Sequence, residues 1–381
     1  MTITMDFGLS EEQELLQRSA REFLGQECPP SFVRTVTTDA DGFPRGLYQK
    51  MAALGWMGLI IPDNYGGSGL SLLELALLAE EMGRVLLPGP FFSSAVLATT
   101  ALLHGGTASQ KKTWLPRLAA GEATGAVALM EPSDRLDAGG IGARARRVRG
   151  GYRLSGTKMF VTDAHVADVI VGAFRSSGKN EDGVSLLLVP RETPGVTVRP
   201  LQTNDLTRRP TEVEFDDVDV PASAVLGRPG EGWPIAQRVL DTACVVLAAD
   251  SLGGAEKALE MAVDYAKVRQ QFGRPIGSFQ AVKHIAAEMV SEIEPARALV
   301  WYAAYASAAL PQEASRAAAM AKARLSDVYS RTTNRAVQIH GGIGFTWEHD
   351  MHLWFKRAKW NELAFGDATY HRERLAQLAG F

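Results

Sequence analysis

Two segments in the C-terminal third of the chain combine residue types that bind phosphate groups. The first reads YAKVRQQFGRPIGSFQ (265–280), in which Arg269 ends a predicted helix beside a Gly-Arg-Pro turn. Arginine presents a planar, permanently charged fork of N–H donors, and proline fixes the backbone of the turn. We therefore predict that Arg269 neutralises a phosphate.

The second segment, NRAVQIHGGIGFTWEHD (334–350), offers an amide and two glycines. Gln338 precedes Gly341 and Gly342, and glycine lets the backbone approach a flat or charged ligand closely. The two segments, in this order, indicate a binding site for such a ligand.

Two other motifs lack the context that their chemistry requires. GGIGARA (139–145) fits a loose dinucleotide fingerprint, but it follows EPSDRLDA instead of a strand and leads into a predicted hairpin instead of a helix. His349 and His352 lie three residues apart without a third ligand nearby in sequence. We predict neither a Rossmann site nor a metal site.

The elements around these segments form three successive blocks. The run SEEQELLQRSAREFL, which begins at Ser10, predicts a capped amphipathic helix, and helical patterns continue to about residue 123. From Thr124, short β-type runs alternate with Gly, Pro, Asn and Asp, and beyond Gly232 strands end and long Ala-rich helical patterns follow. The predicted domains are helical (1–123), β (124–232) and helical (233–381), a multi-domain α+β fold.

The composition excludes several classes of protein. A chain of 381 residues is too long for one ordinary core, and its net charge of -3 does not favour nucleic acid or an anionic membrane as a partner. Cys28 and Cys244 are too few for a disulfide framework or a four-cysteine metal site, and we expect buried thiols. The N-terminus lacks a signal-peptide pattern, and no apolar run is long enough to span a membrane, so we expect a cytoplasmic protein.

With these two segments, further motifs carry a resemblance to a known family. They are LGWMGLIIPDNYGGSGLS in the first block, MEPSD and LSGTKMFVTDA in the second, and VLGRPGEGW at its exit. The chain resembles the FAD-dependent acyl-CoA dehydrogenase family over nearly its whole length. The resemblance implies a helical N-terminal domain, a middle β-barrel, a C-terminal four-helix bundle and a tetramer built from two dimers. It also implies that each flavin lies between the barrel and the bundle of one subunit and is completed by a neighbouring subunit.

The resemblance assigns roles to individual residues. Phe160 and Thr162 match the aromatic residue and the threonine beside the flavin ring, and Leu129 and Met130 match contacts to its pyrimidine edge. The residues that match contacts to the diphosphate and adenine of the neighbour's cofactor are Arg269, Phe272, Gln280, Gln338, Gly341 and Gly342. Leu136 stands where the family often has a phosphate-binding serine, a departure that weakens this part of the match.

The catalytic base that the family uses is missing. The family's reaction removes the α proton of an acyl thioester while the β hydrogen leaves as hydride, which requires a buried carboxylate within hydrogen-bond reach of the α carbon. Most members place this glutamate immediately before a glycine near the C-terminus, where this chain has Phe365. A minority place it on the first long helix of the C-terminal domain, where this chain has Ala243 and Cys244.

The resemblance implies an enzyme that carries out FAD-dependent α,β-dehydrogenation of an acyl-CoA thioester, by itself or as one subunit of a hetero-oligomer. Three explanations for the missing base stay open. The chain is the silent member of a hetero-oligomer, or it uses another carboxylate, or it is a flavin-dependent oxygenase that needs no such base. The other carboxylates are Glu362, Asp367 and Asp250, and for each a surface or structural role is favoured. Asp250 lies about 10 Å along the helix from Ala243.

The resemblance also implies partners. These are an acyl-CoA substrate, an electron-transfer flavoprotein as electron acceptor, and either a homotetramer or a heterotetramer with a glutamate-bearing homologue.

Overall fold

A computed structural model describes residues 8–178 and 180–381. The first seven residues lie outside the described part. The prediction that the N-terminus lacks a signal-peptide pattern falls partly on them. The N-terminal helices are α1 (Glu11–Glu27), α2 (Pro30–Thr38), α3 (Arg45–Ala53) and α4 (Leu72–Arg84), then a π-helical segment (Phe91–Ala98) that continues as α5 (Thr99–Gly105), and α6 (Ala108–Ala119).

Local sequence explains where several of these helices begin. The Ser10 hydroxyl accepts a hydrogen bond from the Gln13 backbone N–H, and the Gln13 side chain accepts one from the Ser10 N–H. The same reciprocal capping box opens α4 at Ser71 and α6 at Thr107. Each box satisfies backbone N–H groups that the first turn of a helix leaves free, so the predicted start at Ser10 is confirmed.

The middle region contains one mixed sheet. Its strands are β1 (Gly125–Ala128), β2 (Arg144–Val148), β3 (Gly151–Thr162), β4 (Val169–Arg175), β5 (Val184–Pro190), β6 (Val196–Pro200), β7 (Pro210–Pro221) and β8 (Val225–Leu226). The strand order is β6-β7-β3-β2-β4-β5-β8, and β1 pairs in parallel with β4. Side chains such as Leu154, Phe174 and Phe215 meet in an apolar core that belongs to this sheet alone. The sheet therefore packs as a unit with its own interior.

The C-terminal region consists of long helices. These are α7 (Trp233–Val268), α8 (Gln280–Ala309), α9 (Ala314–His340), α10 (Met351–Leu363) and α11 (Ala368–Leu378). The expectation that strands end at Gly232 was wrong at one place. Two-residue strands β9 (Gln270–Gln271) and β10 (Arg274–Pro275) form a small hairpin between α7 and α8, because the Phe-Gly pair between them reverses the chain with two positive φ angles.

The predicted fold, with a helical, a β and a second helical region in that order, is confirmed. A second apolar core joins the two helical regions, and α4 and α7 are packed face to face within it. In the described residues, no helix is both long and apolar enough to cross a membrane.

Glycines allow the close crossing of α4 and α7. A Cβ atom on Gly253 of α7 would lie 1.8 Å from the Glu80 carbonyl oxygen, and one on Gly83 of α4 would lie 2.0 Å from the Asp250 carbonyl oxygen. Neither backbone carbonyl can move without moving its helix. The crossing distance of these two helices therefore depends on glycine at both positions.

We expect Gly253→Ala to destabilise the protein by about 1–3 kcal/mol or more, because the added methyl group forces α4 and α7 apart. The matched control is Gly25→Ala in α1, where a Cβ meets nothing within 4 Å. That change should stabilise by about 0.5–1 kcal/mol through helix propensity. Urea unfolding of both variants measures the difference, and equal effects would contradict the packing argument.

Candidate active site

The turn that carries Phe365 is held by two buried side chains. Lys322 donates hydrogen bonds from Nζ to the carbonyl oxygens of Gly366 (2.8 Å) and Glu362 (3.1 Å). His371 donates from Nε2 to the Phe365 carbonyl oxygen at 2.9 Å. Phe365 has a φ of 56°, in the left-handed region that bulky residues rarely adopt. The turn is thus fixed by three bonds to its carbonyl groups, independent of the Phe365 side chain.

Phe365 lines a cavity of about 30 Å³ between α7, α11 and the loop that contains Leu136. Tyr370 donates a hydrogen bond from its hydroxyl to the Leu136 carbonyl oxygen (3.3 Å) and closes one side. The lining residues are Leu136, Trp233, Gln237, Leu240, Cys244, Phe365, Tyr370, His371 and Arg374. None of these residues is a carboxylate.

Cys244 and His371 form a neutral pair in this cavity. Cys244 Sγ lies 3.7 Å from His371 Nε2, and both side chains are buried. Burial raises the pKa of the Cys244 thiol to about 12. Burial, with a contribution from the nearby Lys322 charge, lowers the pKa of His371 to about 4. At neutral pH neither residue is ionised, so the pair supplies no thiolate to remove a proton.

The three alternative carboxylates are all engaged elsewhere. Asp367 accepts a hydrogen bond from the Tyr370 backbone N–H (2.8 Å) as the N-cap of α11. Glu362 pairs with Lys359 at 2.6 Å. Asp250 accepts hydrogen bonds from Arg357 Nη1 (2.9 Å), Arg208 Nη2 (3.1 Å) and Asn361 Nδ2 (2.7 Å). The structural roles expected from the sequence therefore apply to Asp250 and Asp367, and Glu362 lies in a partly exposed ion pair.

The bonds of Asp250 belong to a buried ionic cluster that connects all three regions of the chain. Arg357 of α10 is fully buried and donates from Nε to Asp205 of the middle region (2.8 Å). It also donates from Nη2 to the Leu87 carbonyl oxygen (3.2 Å), which follows α4, and from Nη1 to Asp250 of α7. The cluster was not predicted, because its members are scattered along the sequence.

The structure brings four predicted cofactor residues together where β1 ends beside β3. The Met159 backbone N–H donates to the Met130 carbonyl oxygen at 2.9 Å. Thr162 is buried, whereas the Phe160 side chain is 53% exposed and has a φ of 55°. The edge of Leu129 and Met130 therefore lies next to an exposed aromatic ring.

A buried ion pair lies next to the backbone of Leu129 and Met130. Lys158 is fully buried and bonds Glu131 (2.6 Å) and the Leu129 carbonyl oxygen (3.4 Å) from Nζ. Burial lowers the pKa of Lys158 to about 8, and the Glu131 charge opposes that shift. Neither residue was singled out from the sequence, although a lysine and a glutamate within otherwise apolar strand ends are a signal that was available.

The other six predicted residues lie on the exposed surface of the C-terminal region. Phe272 is 92% exposed with a φ of 52°, and a Cβ built on Gly341 or Gly342 would meet nothing within 4 Å. The two segments that carry these residues meet where the rings of Tyr265 and His340 stack with their centroids 4.6 Å apart. All six predicted residues in these segments are exposed: Arg269, Phe272, Gln280, Gln338, Gly341 and Gly342.

Three phenylalanines with left-handed backbones mark the predicted site segments. Phe160, Phe272 and Phe365 have φ angles of 55°, 52° and 56°. Each such conformation costs about 1–3 kcal/mol and persists only where surrounding bonds impose it, which is typical of functional sites. All three stand in segments selected from the sequence for chemistry.

Family models match almost the entire chain. The model described as acyl-CoA dehydrogenase, N-terminal domain, matches residues 10–122, the middle domain matches residues 126–218, and the C-terminal domain matches residues 230–379. The protein described as probable acyl-CoA dehydrogenase YngJ of Bacillus subtilis (strain 168) is 36% identical over 381 residues, covering 98% of this chain and 99% of the relative.

Solved structures are similar over the same length. Butyryl-CoA dehydrogenase from Megasphaera elsdenii superposes with a TM-score of 0.91 and 31% identity, covering 98% of this chain and 100% of that chain. A chain from a structure described as the electron transferring flavoprotein of Acidaminococcus fermentans has a TM-score of 0.91 and 33% identity, covering 99% and 100% of the two chains.

We expect the protein to lose stability as the pH falls from about 6.5 to about 4, and His371→Gln to lose less. His371 has a pKa of about 4 in the folded chain, whereas an unfolded histidine titrates near 6.5, so acid protonates the unfolded state first. The expected slope from this one group is roughly 1 kcal/mol per pH unit. The variant keeps a donor for the Phe365 carbonyl oxygen.

Urea unfolding at several pH values measures this difference. The control is His284→Gln, since His284 is exposed in α8. An unchanged pH slope in His371→Gln would show that other groups cause the acid lability.

Proposed function

The chain belongs to the acyl-CoA dehydrogenase family, whose members are FAD-dependent oxidoreductases, and we propose that it acts as the base-free subunit of a hetero-oligomer that dehydrogenates an acyl-CoA thioester. One observation carries this proposal. Phe365 stands where the resemblance expects the glutamate, and the cavity around it contains no carboxylate. An acyl-CoA α proton is too weakly acidic to leave without a positioned base.

The alternative that this chain supplies a different base has little support. Asp250 is shared by Arg208, Arg357 and Asn361, and removing it from these partners would leave buried charges unpaired. Asp367 is occupied by the first turn of α11. The structural roles of both carboxylates favour a base that comes from another chain.

The exposed surfaces fit FAD. A flat ring system matches the half-exposed Phe160 ring beside Thr162, and a diphosphate matches the open backbone at Gly341 and Gly342 with Arg269 on the adjoining segment. When bound, FAD supplies the acceptor for the hydride that leaves the β carbon. Leu129 and Met130 would contact the ring edge, and Phe272, Gln280 and Gln338 would contact the nucleotide half held by the neighbour.

Within the cavity, this chain's residues position the ligand and exclude water, but they do not take up a proton. Lys322 and His371 hold the turn, and the Phe365 ring makes the cavity apolar at the position of the family's base. The glutamate-bearing homologue then performs proton abstraction in its own cavity. This chain completes the partner's flavin site with its exposed Arg269 segment.

An electron-transfer flavoprotein is the proposed electron acceptor. Similarity to the chain from the Acidaminococcus fermentans flavoprotein structure supports this choice. The test is whether added electron-transfer flavoprotein reoxidises the reduced flavin.

We expect purified protein to be yellow and to release FAD on denaturation, and Arg269→Ala to retain FAD at least about tenfold more weakly. The reason is the loss of a charge-assisted bond to the diphosphate, which contributes about 1.5–3 kcal/mol. The FAD-to-protein ratio after dialysis measures retention. The matched control is Arg316→Ala, an exposed arginine of α9, and equal retention by both variants would remove Arg269 from the site.

We expect the chain alone to bind FAD and acyl-CoA without anaerobic flavin bleaching, and bleaching to begin when a glutamate-bearing homologue is co-expressed. Phe365→Glu should restore a small rate, because a base misplaced by about 1 Å loses about 100-fold in rate.

Asp250→Asn, Asp367→Asn and Glu362→Gln test the other carboxylates. Brisk bleaching by the chain alone that one of these substitutions abolishes, with FAD still bound, would disprove the hetero-oligomer. Oxygen insertion by the chemically reduced flavin without bleaching would favour an oxygenase instead.

A further inference from the structure

Two cavities border neighbouring turns of α7. Trp233, Gln237, Leu240 and Cys244 line the cavity at Phe365, and Val246, Leu247 and Asp250 line a second cavity. At about 100° per residue, Leu247 and Asp250 lie about 60° and about 120° around the helix from Cys244, so the two cavities border adjacent sides of α7. From Cys244 to Asp250 the helix advances about 9 Å, since each residue rises about 1.5 Å.

An aromatic partition separates the two cavities. Phe365 lines the first and Phe92 lines the second, and their rings meet edge to face with centroids 6.0 Å apart. Phe92 also packs edge to face on Trp360 at 6.3 Å. A ligand that reaches from the first cavity into the second must therefore displace one of these two rings.

The second cavity is apolar except for Asp250 and one buried guanidinium. Arg208 is only 5% exposed, and its guanidinium lies 5.6 Å from the Phe92 ring centroid and 5.1 Å from that of Trp360. Its Nη2 donates to Asp250, but its buried Nε finds no hydrogen-bond partner among the described residues. A buried N–H without an acceptor costs about 1–3 kcal/mol, which indicates that an acceptor completes the site.

The charges around Arg208 are already balanced. Arg208 and Arg357 face Asp205 and Asp250, so the cluster has no net charge. The Asp163 carboxyl accepts a bond from the Ser93 hydroxyl (2.7 Å), and burial raises its pKa, which favours the neutral form. Burial lowers the pKa of Arg208 to about 10, which leaves it cationic at neutral pH. An additional buried carboxylate would be uncompensated, and a hydrocarbon would leave Nε unsatisfied.

We propose that the acyl group carries a neutral oxygen, such as a ketone or an ether, that enters the second cavity and accepts a hydrogen bond from Arg208 Nε. The cavity is about 20 Å³, room for one oxygen-sized group. This inference rests on the proposed binding of an acyl thioester and names its substrate class. It does not depend on turnover, because the base is not required for binding.

The test compares two ligands of nearly equal shape, 7-oxooctanoyl-CoA and 7-methyloctanoyl-CoA. Titration of the FAD-bound protein, followed by flavin absorbance and calorimetry, should give about tenfold or greater preference for the oxo compound. Arg208→Lys keeps the positive charge beside Asp250 but removes the Nε–H, and it should reduce the preference to about twofold or less. Arg199→Lys, an exposed arginine on β6, is the control and should keep the full preference.

Several results would overturn the proposal. Equal affinities for the two ligands would show that a water molecule satisfies Arg208, and tighter binding of suberyl-CoA would show that the site takes a carboxylate. An unchanged preference in Arg208→Lys would remove Arg208 from recognition. If that variant does not fold, the ligand pair on the unmodified protein decides. Failure of every thioester to bind while FAD stays bound would instead refute the proposed function, and with it this substrate class.

Discussion

The buried guanidinium of Arg357 is the one group that bonds to all three regions of the chain among the residues described. It bonds the Leu87 carbonyl oxygen, Asp205 and Asp250, and so connects the N-terminal helices, the middle region and the C-terminal bundle. Two desolvated ion pairs are costly to form, but once formed they are far more costly to break, because each partner left alone is an uncompensated buried charge. Small displacements between the three regions are therefore resisted at one point, next to the second cavity that Asp250 lines.

The cavity at Phe365 combines an apolar wall with polar groups that are all kept neutral or paired. His371 and Cys244 are too deeply buried to ionise at neutral pH, and Arg374 is bonded to Asp241 at 2.7 Å. None of the residues that line this cavity is a carboxylate, and the proposed function uses the cavity to bind and orient a ligand. This separation of binding from chemistry is consistent with a subunit that shares its reaction with another chain.

The sequence predicted the features that depend on neighbouring residues. The start of α1 follows from Ser10 and Gln13, and the change from helical to β patterns follows from periodicity and turn residues. The cluster around Arg357 could not be predicted, because its partners Asp250 and Asp205 lie 107 and 152 residues away, and a single sequence does not record which distant charges meet. The left-handed backbone of Phe365 was hidden for a similar reason, since it is imposed by Lys322 and His371 and contradicts the preference of phenylalanine itself.

The turn at Phe365 also bears on how such a chain arises during evolution. Its three hydrogen bonds use main-chain carbonyl groups only, so none of them requires a particular side chain at the residue. Under the proposed function, one copy exchanges an acidic residue for an aromatic one here after a gene duplication, while these three bonds stay in place. Catalytic duty is then divided between paralogues by one amino-acid replacement, and the three bonds do not oppose the reverse replacement.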